Sequence, residues 1–127
     1  MKRTLIATLA VLACALLVCA GSLAALNGTV DTARRLREEA VQAAGAGDLD
    51  RARAQMAALA EYWAGRAGLM ELLASHDDLH DVDAAIADAR ICIARGDAGE
   101  FLRAMSTVDM GLLHLRDEEA VRWANLY

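Results

Sequence analysis

An all-α protein is predicted, with an N-terminal transmembrane helix followed by a small antiparallel four-helix bundle made of two helical hairpins. Three observations carry this. Thr4–Leu26 runs 23 residues without a charge. Beyond it, apolar residues recur at alternating steps of three and four, the spacing of a helix with one buried face. The 127 residues include no proline, and the pattern breaks at Gly-Asp and Ser-His-Asp-Asp, which are stop and start signals for helices.

The first element is the anchor. A helix of that length spans about 35 Å at about 1.5 Å per residue, enough to cross a hydrocarbon core of about 30 Å. A cleaved signal peptide has a shorter apolar core of about 7–15 residues. Ser22-Leu23-Ala24 nevertheless offers a small-x-small exit, and Val11-Leu12-Ala13-Cys14 loosely resembles a lipoprotein processing site. Lys2 and Arg3 directly precede the apolar run and favour a cytoplasmic N-terminus, which places the rest of the chain outside the cell membrane as a single-pass protein. Arg34, Arg35 and Arg37 oppose that bias mildly, with Asp31, Glu38 and Glu39 around them. Asn27-Gly28-Thr29 is expected to end the anchor, giving an anchor of residues 1–27 and a bundle domain of residues 28–127.

From Gly28 onward the chain carries 11 Arg and no Lys against 18 Asp plus Glu. A net acidic domain whose Arg residues are interspersed with acids repels phosphate backbones, so no nucleic-acid partner is expected. Phe101 with two Trp and two Tyr leaves the core to Leu, Ile, Val, Met and Ala. Cys92 is alone in this domain, so no internal disulfide is available to it, and Ile91 and Ile93 beside it favour a packing role.

The four bundle helices follow in order. A first amphipathic stretch runs from about Val30 to Ala44, and Gly45-Ala46-Gly47 breaks it. Asp48 is an N-cap for the second helix, whose seam is Leu49, Ala52, Met56, Leu59, Trp63, Met70 and Leu73, with Arg66 as a polar intrusion. Ser75 with Asp78 three residues on resembles a capping box, and Leu79, Val82, Ile86, Ala89 and Ile93 pattern the third helix. Gly96 closes it. Asp97 with Glu100 opens the fourth, patterned by Phe101, Met105, Val108, Leu112 and Leu115. Arg116–Glu119 reads as a charged corner, and Val121, Trp123, Leu126 and Tyr127 as an apolar tail. The two Gly-Asp helix starts lie 49 residues apart, as two similar hairpins require.

Chemistry concentrates at His76-Asp77-Asp78-Leu79-His80. Histidines at i and i+4 share a helix face, the geometry zinc proteases use in H-E-x-x-H. Here Asp77 would stand in for the general-base Glu one methylene short, and no third ligand sits at a familiar spacing. An acid-rich helix start that complements the helix dipole accounts for the segment. A non-catalytic metal site would use His76, His80 and Asp83, with His114 joining if the fourth helix packs beside the second or third. The same acids around two histidines would also suit a proton sensor. Trp63 and Arg66 beside Tyr62 are candidates for an interface, since aromatic and Arg residues dominate binding hot spots. Trp63 is equally the largest side chain available to the core. Trp123 and Tyr127 either fold back on the bundle, meet a partner, or sit at the membrane interface. Gly45-Ala46-Gly47 lacks the preceding strand and the Lys-Ser/Thr of a phosphate loop.

The layout resembles the DUF4363 family of small bacterial proteins: a basic start, one apolar segment and about 100 helical residues. The residues that carry the resemblance are Trp63, His76-Asp77-Asp78-Leu79, Leu112-Leu113-His114 and Asn125-Leu126. His80 departs from it, standing where relatives carry an acid. The resemblance implies membrane location and a helical architecture and brings no activity with it. The expected function is accordingly non-enzymatic and free of cofactors. The bilayer holds residues 4–26, and the external bundle docks on another membrane protein or on itself. The alternative is an extracytoplasmic metal- or pH-sensing protein acting through His76–Asp83.

Overall fold

The computed structural model describes residues 1–125, apart from the side chain of Trp123. Those residues form four helices: α1 (Lys2–Gly45), α2 (Leu49–Leu73), α3 (His76–Ala94) and α4 (Ala98–Asn125). Each packs on the next, and α4 closes the ring against α1, so the four make an antiparallel bundle of two hairpins. The predicted fold class is the observed one.

The two hairpin turns are built alike. Gly47 (φ 80°) and Gly96 (φ 75°) adopt the left-handed backbone that favours glycine. The next amide reaches back five residues in each: Asp48 N–H donates to Ala43 O at 2.9 Å, and Asp97 N–H to Cys92 O at 3.1 Å. The same Asp then caps the following helix, its Oδ1 accepting from Arg51 N in one turn and from Glu100 N in the other, both at 3.1 Å. Between the hairpins, Ser75 caps α3. Its Oγ accepts from Asp78 N at 3.3 Å and donates to Asp78 Oδ2 at 2.6 Å, so half of the expected capping box forms, with the shorter acid bonding the hydroxyl in place of the Ser75 amide.

The seams predicted from spacing are the core. Met56, Leu59, Val82, Phe101, Met105, Val108, Leu112 and Leu115 are almost wholly buried, and Leu49 and Leu73 at the ends of α2 are half-buried. Close approach of α3 to α4 depends on Gly111: a Cβ there would stand 3.2 Å from Val82 Cγ2. Arginines on α1 and α4 tie the two helices together on the outside of the bundle. Arg34 Nε donates to Asp109 Oδ1 at 2.8 Å, Arg37 Nε to Met105 O at 2.9 Å, and Arg116 Nη1 to Asp31 Oδ1 at 3.3 Å. The bond to Asp109, reinforced by the charges of Asp109, Asp31 and Glu38 and opposed by partial burial, raises the Arg34 pKa above its ordinary value. The Arg34–Arg37 cluster is therefore in part mortar between α1 and α4.

Two boundaries differ from expectation. Asn27-Gly28-Thr29 does not break α1, which continues for 44 residues from Lys2 to Gly45. One glycine costs a helix only about 1 kcal/mol, and the burial of Leu26, Val30 and Ala33 around it favours continuity. The Thr29 hydroxyl is satisfied within the helix, donating to Ala25 O at 2.8 Å. Packing begins before the expected boundary, with Leu23 against the core and Leu26 buried. The charged stretch Arg116–Glu119 is likewise no corner, since α4 runs 28 residues without interruption.

At about 1.5 Å per residue α1 is about 66 Å long and α2 about 38 Å, so about 28 Å of α1 projects beyond its partner. The projecting half exposes Leu5, Ile6, Leu9, Leu12, Leu16 and Leu17 among others. It is long and apolar enough to cross a membrane.

Removing the Phe101 side chain, which is wholly buried, tests the core directly. Phe101→Ala is expected to destabilise the bundle by about 3–5 kcal/mol, measured as a lowered midpoint in a denaturant melt followed by circular dichroism.

Candidate functional site

The ion pairs Arg34–Asp109 and Arg116–Asp31 set α4 antiparallel to α1. They carry the end of α4 back toward the apolar half of α1. Helix α2 runs the same way from its turn at Gly47, so the α2–α3 junction and the last turns of α4 share one end of the bundle, next to the projecting half of α1. The candidate residues gather at this proximal end.

His76 and His80 lie one turn apart at the start of α3 and, with Asp83, line a cavity of about 60 Å³. Its other walls include Trp63, Met70 and Glu71. Asp83 has a partner already: the Trp63 indole N–H donates to its Oδ1 at 2.6 Å. The three residues picked from the sequence thus share a wall, and the carboxylate among them steadies the indole of α2.

That bond also decides the role of Trp63. The side chain is 5% exposed and packs the α2–α3 seam, which is the core position its size suits. The indole is wide enough to fill the seam, and Asp83 satisfies its one polar atom. Arg66 is exposed on the same helix, its guanidinium 5.3 Å from the ring centroid of Tyr62. Tyr127 and the side chain of Trp123 lie outside the described residues.

A second group converges on the other side of α3. His114 Nε2 on α4 is 3.2 Å from Glu118 Oε1, one turn on, and 3.7 Å from Asp78 Oδ1 on α3. Asp78, whose Oδ2 the Ser75 hydroxyl holds, is only 11% exposed as a side chain, whereas His114 and Glu118 are about half exposed. Helix α4 does pack beside α3, as a role for His114 required, but it delivers His114 to Asp78 instead of to His76 and His80. The i, i+4 pair His114–Glu118 is legible in the chain, whereas the meeting with Asp78 depends on packing.

The next residue, Glu119, is 1% exposed. Its Oε1 has Arg122 Nη1 at 3.4 Å, an ion-pair distance, without a hydrogen bond of good geometry. Asn27 Oδ1 on α1 is also buried without a hydrogen bond. At the far end of the bundle, Cys92 is a half-buried thiol. Burial first, then the charges of Asp88, Glu100 and Asp97, push its pKa up against the pull of Arg95. The direction suits a packing residue, because the reactive thiolate is disfavoured.

The proximal end therefore holds side-chain clusters on two faces, carried on a bundle whose first helix is apolar for half its length. This is the class the fold defines: a small helical bundle continuous with a membrane-span-like helix. The chain belongs to the DUF4363 family, described as a domain of unknown function, which matches residues 21–126. That match begins just before Leu23, the first α1 side chain packed against the core. No curated protein and no solved structure matches the chain.

Trp63→Phe keeps an aromatic six-membered ring in the seam but removes the bond to Asp83 and the volume of the second ring. It is expected to cost about 1–2 kcal/mol, against about 3–5 kcal/mol for Trp63→Ala, with both read from the same denaturant melts.

Proposed function

We propose that this protein is a non-enzymatic interaction module held in the cell membrane by α1, with its N-terminus cytoplasmic and its bundle outside, docking on another membrane protein. The observation that carries this reading is the unbroken course of α1 from the exposed apolar half into the bundle wall. A rigid helix that is part anchor and part bundle sets the domain at a fixed height and tilt over the bilayer. Its surface is then presented to proteins sharing that membrane, and no flexible linker dilutes the encounter. Lys2 and Arg3 support the orientation.

The outer face of α4 is the favoured contact. Met110 and Val121 are 70% and 59% exposed, and they stand about three turns apart, hence on one line of the helix. A Met on such a line adapts to an irregular partner surface. Self-association through the same face is the competing occupant. A second reading, metal or proton binding along His76–Asp83, draws on the cavity wall those residues share, and the engagement of Asp83 by Trp63 weakens it.

Full-length protein, solubilised from its own host in mild detergent, is compared with a version carrying an unrelated anchor in place of residues 4–26 and with the double variant Met110→Glu/Val121→Glu. Docking predicts that one membrane protein is recovered with the first two and is lost with the third, whose melting is unchanged. Recovery only of further copies of the chain, or equal recovery with the double variant, overturns docking through this face.

A further inference from the structure

We propose that Asp78, His114 and Glu118 form a binding site for a divalent transition-metal ion, Zn²⁺ above others, which clamps the start of α3 to α4. The site is distinct from His76, His80 and Asp83, and it does not depend on the docking reading.

The geometry is the first ground. One ligand atom from each residue lies within 4.8 Å of the other two. Nitrogen and oxygen ligands at about 2.0–2.2 Å from a zinc ion stand about 3.3–3.6 Å apart at tetrahedral corners. The separations of His114 Nε2 from Glu118 Oε1, 3.2 Å, and from Asp78 Oδ1, 3.7 Å, bracket that range. The remaining Asp78–Glu118 separation closes by a change of rotamer in Glu118, whose side chain is 49% exposed and, among the described residues, makes no bond beyond the cluster.

Preorganisation is the second. Helix α4 brings two ligands to one face through their i, i+4 spacing, and the packing of α3 adds the third from a separate element. Asp78 is not free to swing away. Ser75 Oγ donates to its Oδ2 at 2.6 Å, leaving Oδ1 directed at His114. Such a bond to the non-ligating oxygen is how metal sites fix their carboxylates. The Ser75 cap thus serves the helix and orients a ligand together.

The donor set is the third. One imidazole and two carboxylates satisfy a borderline cation such as Zn²⁺, and three protein ligands leave a position for water or for a group from a partner. Two carboxylates this close repel each other, and a dication between them reverses that term. Binding would fasten α3 to α4 at the proximal end, where their connecting turn, at Gly96, is at the opposite end of the bundle.

The test uses full-length protein in detergent micelles, titrated with Zn²⁺ by calorimetry and with Co²⁺ by visible absorption. The wild type is expected to bind one equivalent and to melt at a higher temperature with zinc. His114→Ala and Glu118→Gln, both at exposed positions, are expected to melt as the wild type does without metal. Each should bind more than about tenfold more weakly, because changes even in outer-shell partners cost that much. The double variant His76→Ala/His80→Ala should keep the wild-type affinity. Failure of the wild type to bind, wild-type affinity in either single variant, or a loss confined to the double variant overturns the site.

Discussion

Everything in this molecule depends on α1 being one unbroken helix, apolar over its first half and a bundle wall over its second. From Thr4 on, its first half carries no charge and is largely exposed, and it is long and apolar enough to cross a membrane. Its second half is a bundle wall, with Val30, Ala33, Ala40 and Ala43 inside and Arg34 and Arg37 bonded to Asp109 and the Met105 carbonyl of α4. The join tolerates Asn27 and Gly28 because tertiary contacts on both sides outweigh their weak preference for other backbones. A helix is stiff over this length, so the bundle inherits its direction from the apolar half of α1. The α2–α3 turn, the histidines and the end of α4 are consequently held at the foot of the bundle.

The wall that α1 supplies is unusual in being mostly alanine. Small side chains let neighbouring helices approach closely, but they bury little area apiece. The heavier contributions come from α2 and α4, through Met56, Leu59, Phe101, Met105 and Leu112. The ion pairs on the α1–α4 seam are partly exposed, and each is worth at most about 1 kcal/mol. Their main effect is to select the register that brings α4 to its place beside both α1 and α3.

The core was legible in the chain because helical period and burial are tightly linked: every seam residue of α3 and α4 that the three-four spacing picked out is buried. Caps were legible for a similar reason, since Asp48, Ser75 and Asp97 act through neighbours three residues away. Boundaries were less so. Asn27-Gly28-Thr29 and Arg116–Glu119 look like breaks locally, and only packing from other helices overrides them, including the burial of Glu119. The proximal clusters divide along the same line. His76 and His80 lie on one helix and were visible, whereas Trp63–Asp83 and Asp78–His114 each join two helices and depend on the register between them.

Hydrogen–deuterium exchange of the full-length protein in lipid nanodiscs addresses the continuity of α1 most directly. An unbroken helix that is packed from Leu23 onward predicts slow exchange of the amides from residue 24 to residue 33, with no fast position at Asn27, Gly28 or Thr29. Rapid exchange at those three amides, between protected segments on either side, would show a hinge there. It would contradict a rigid union of anchor and bundle.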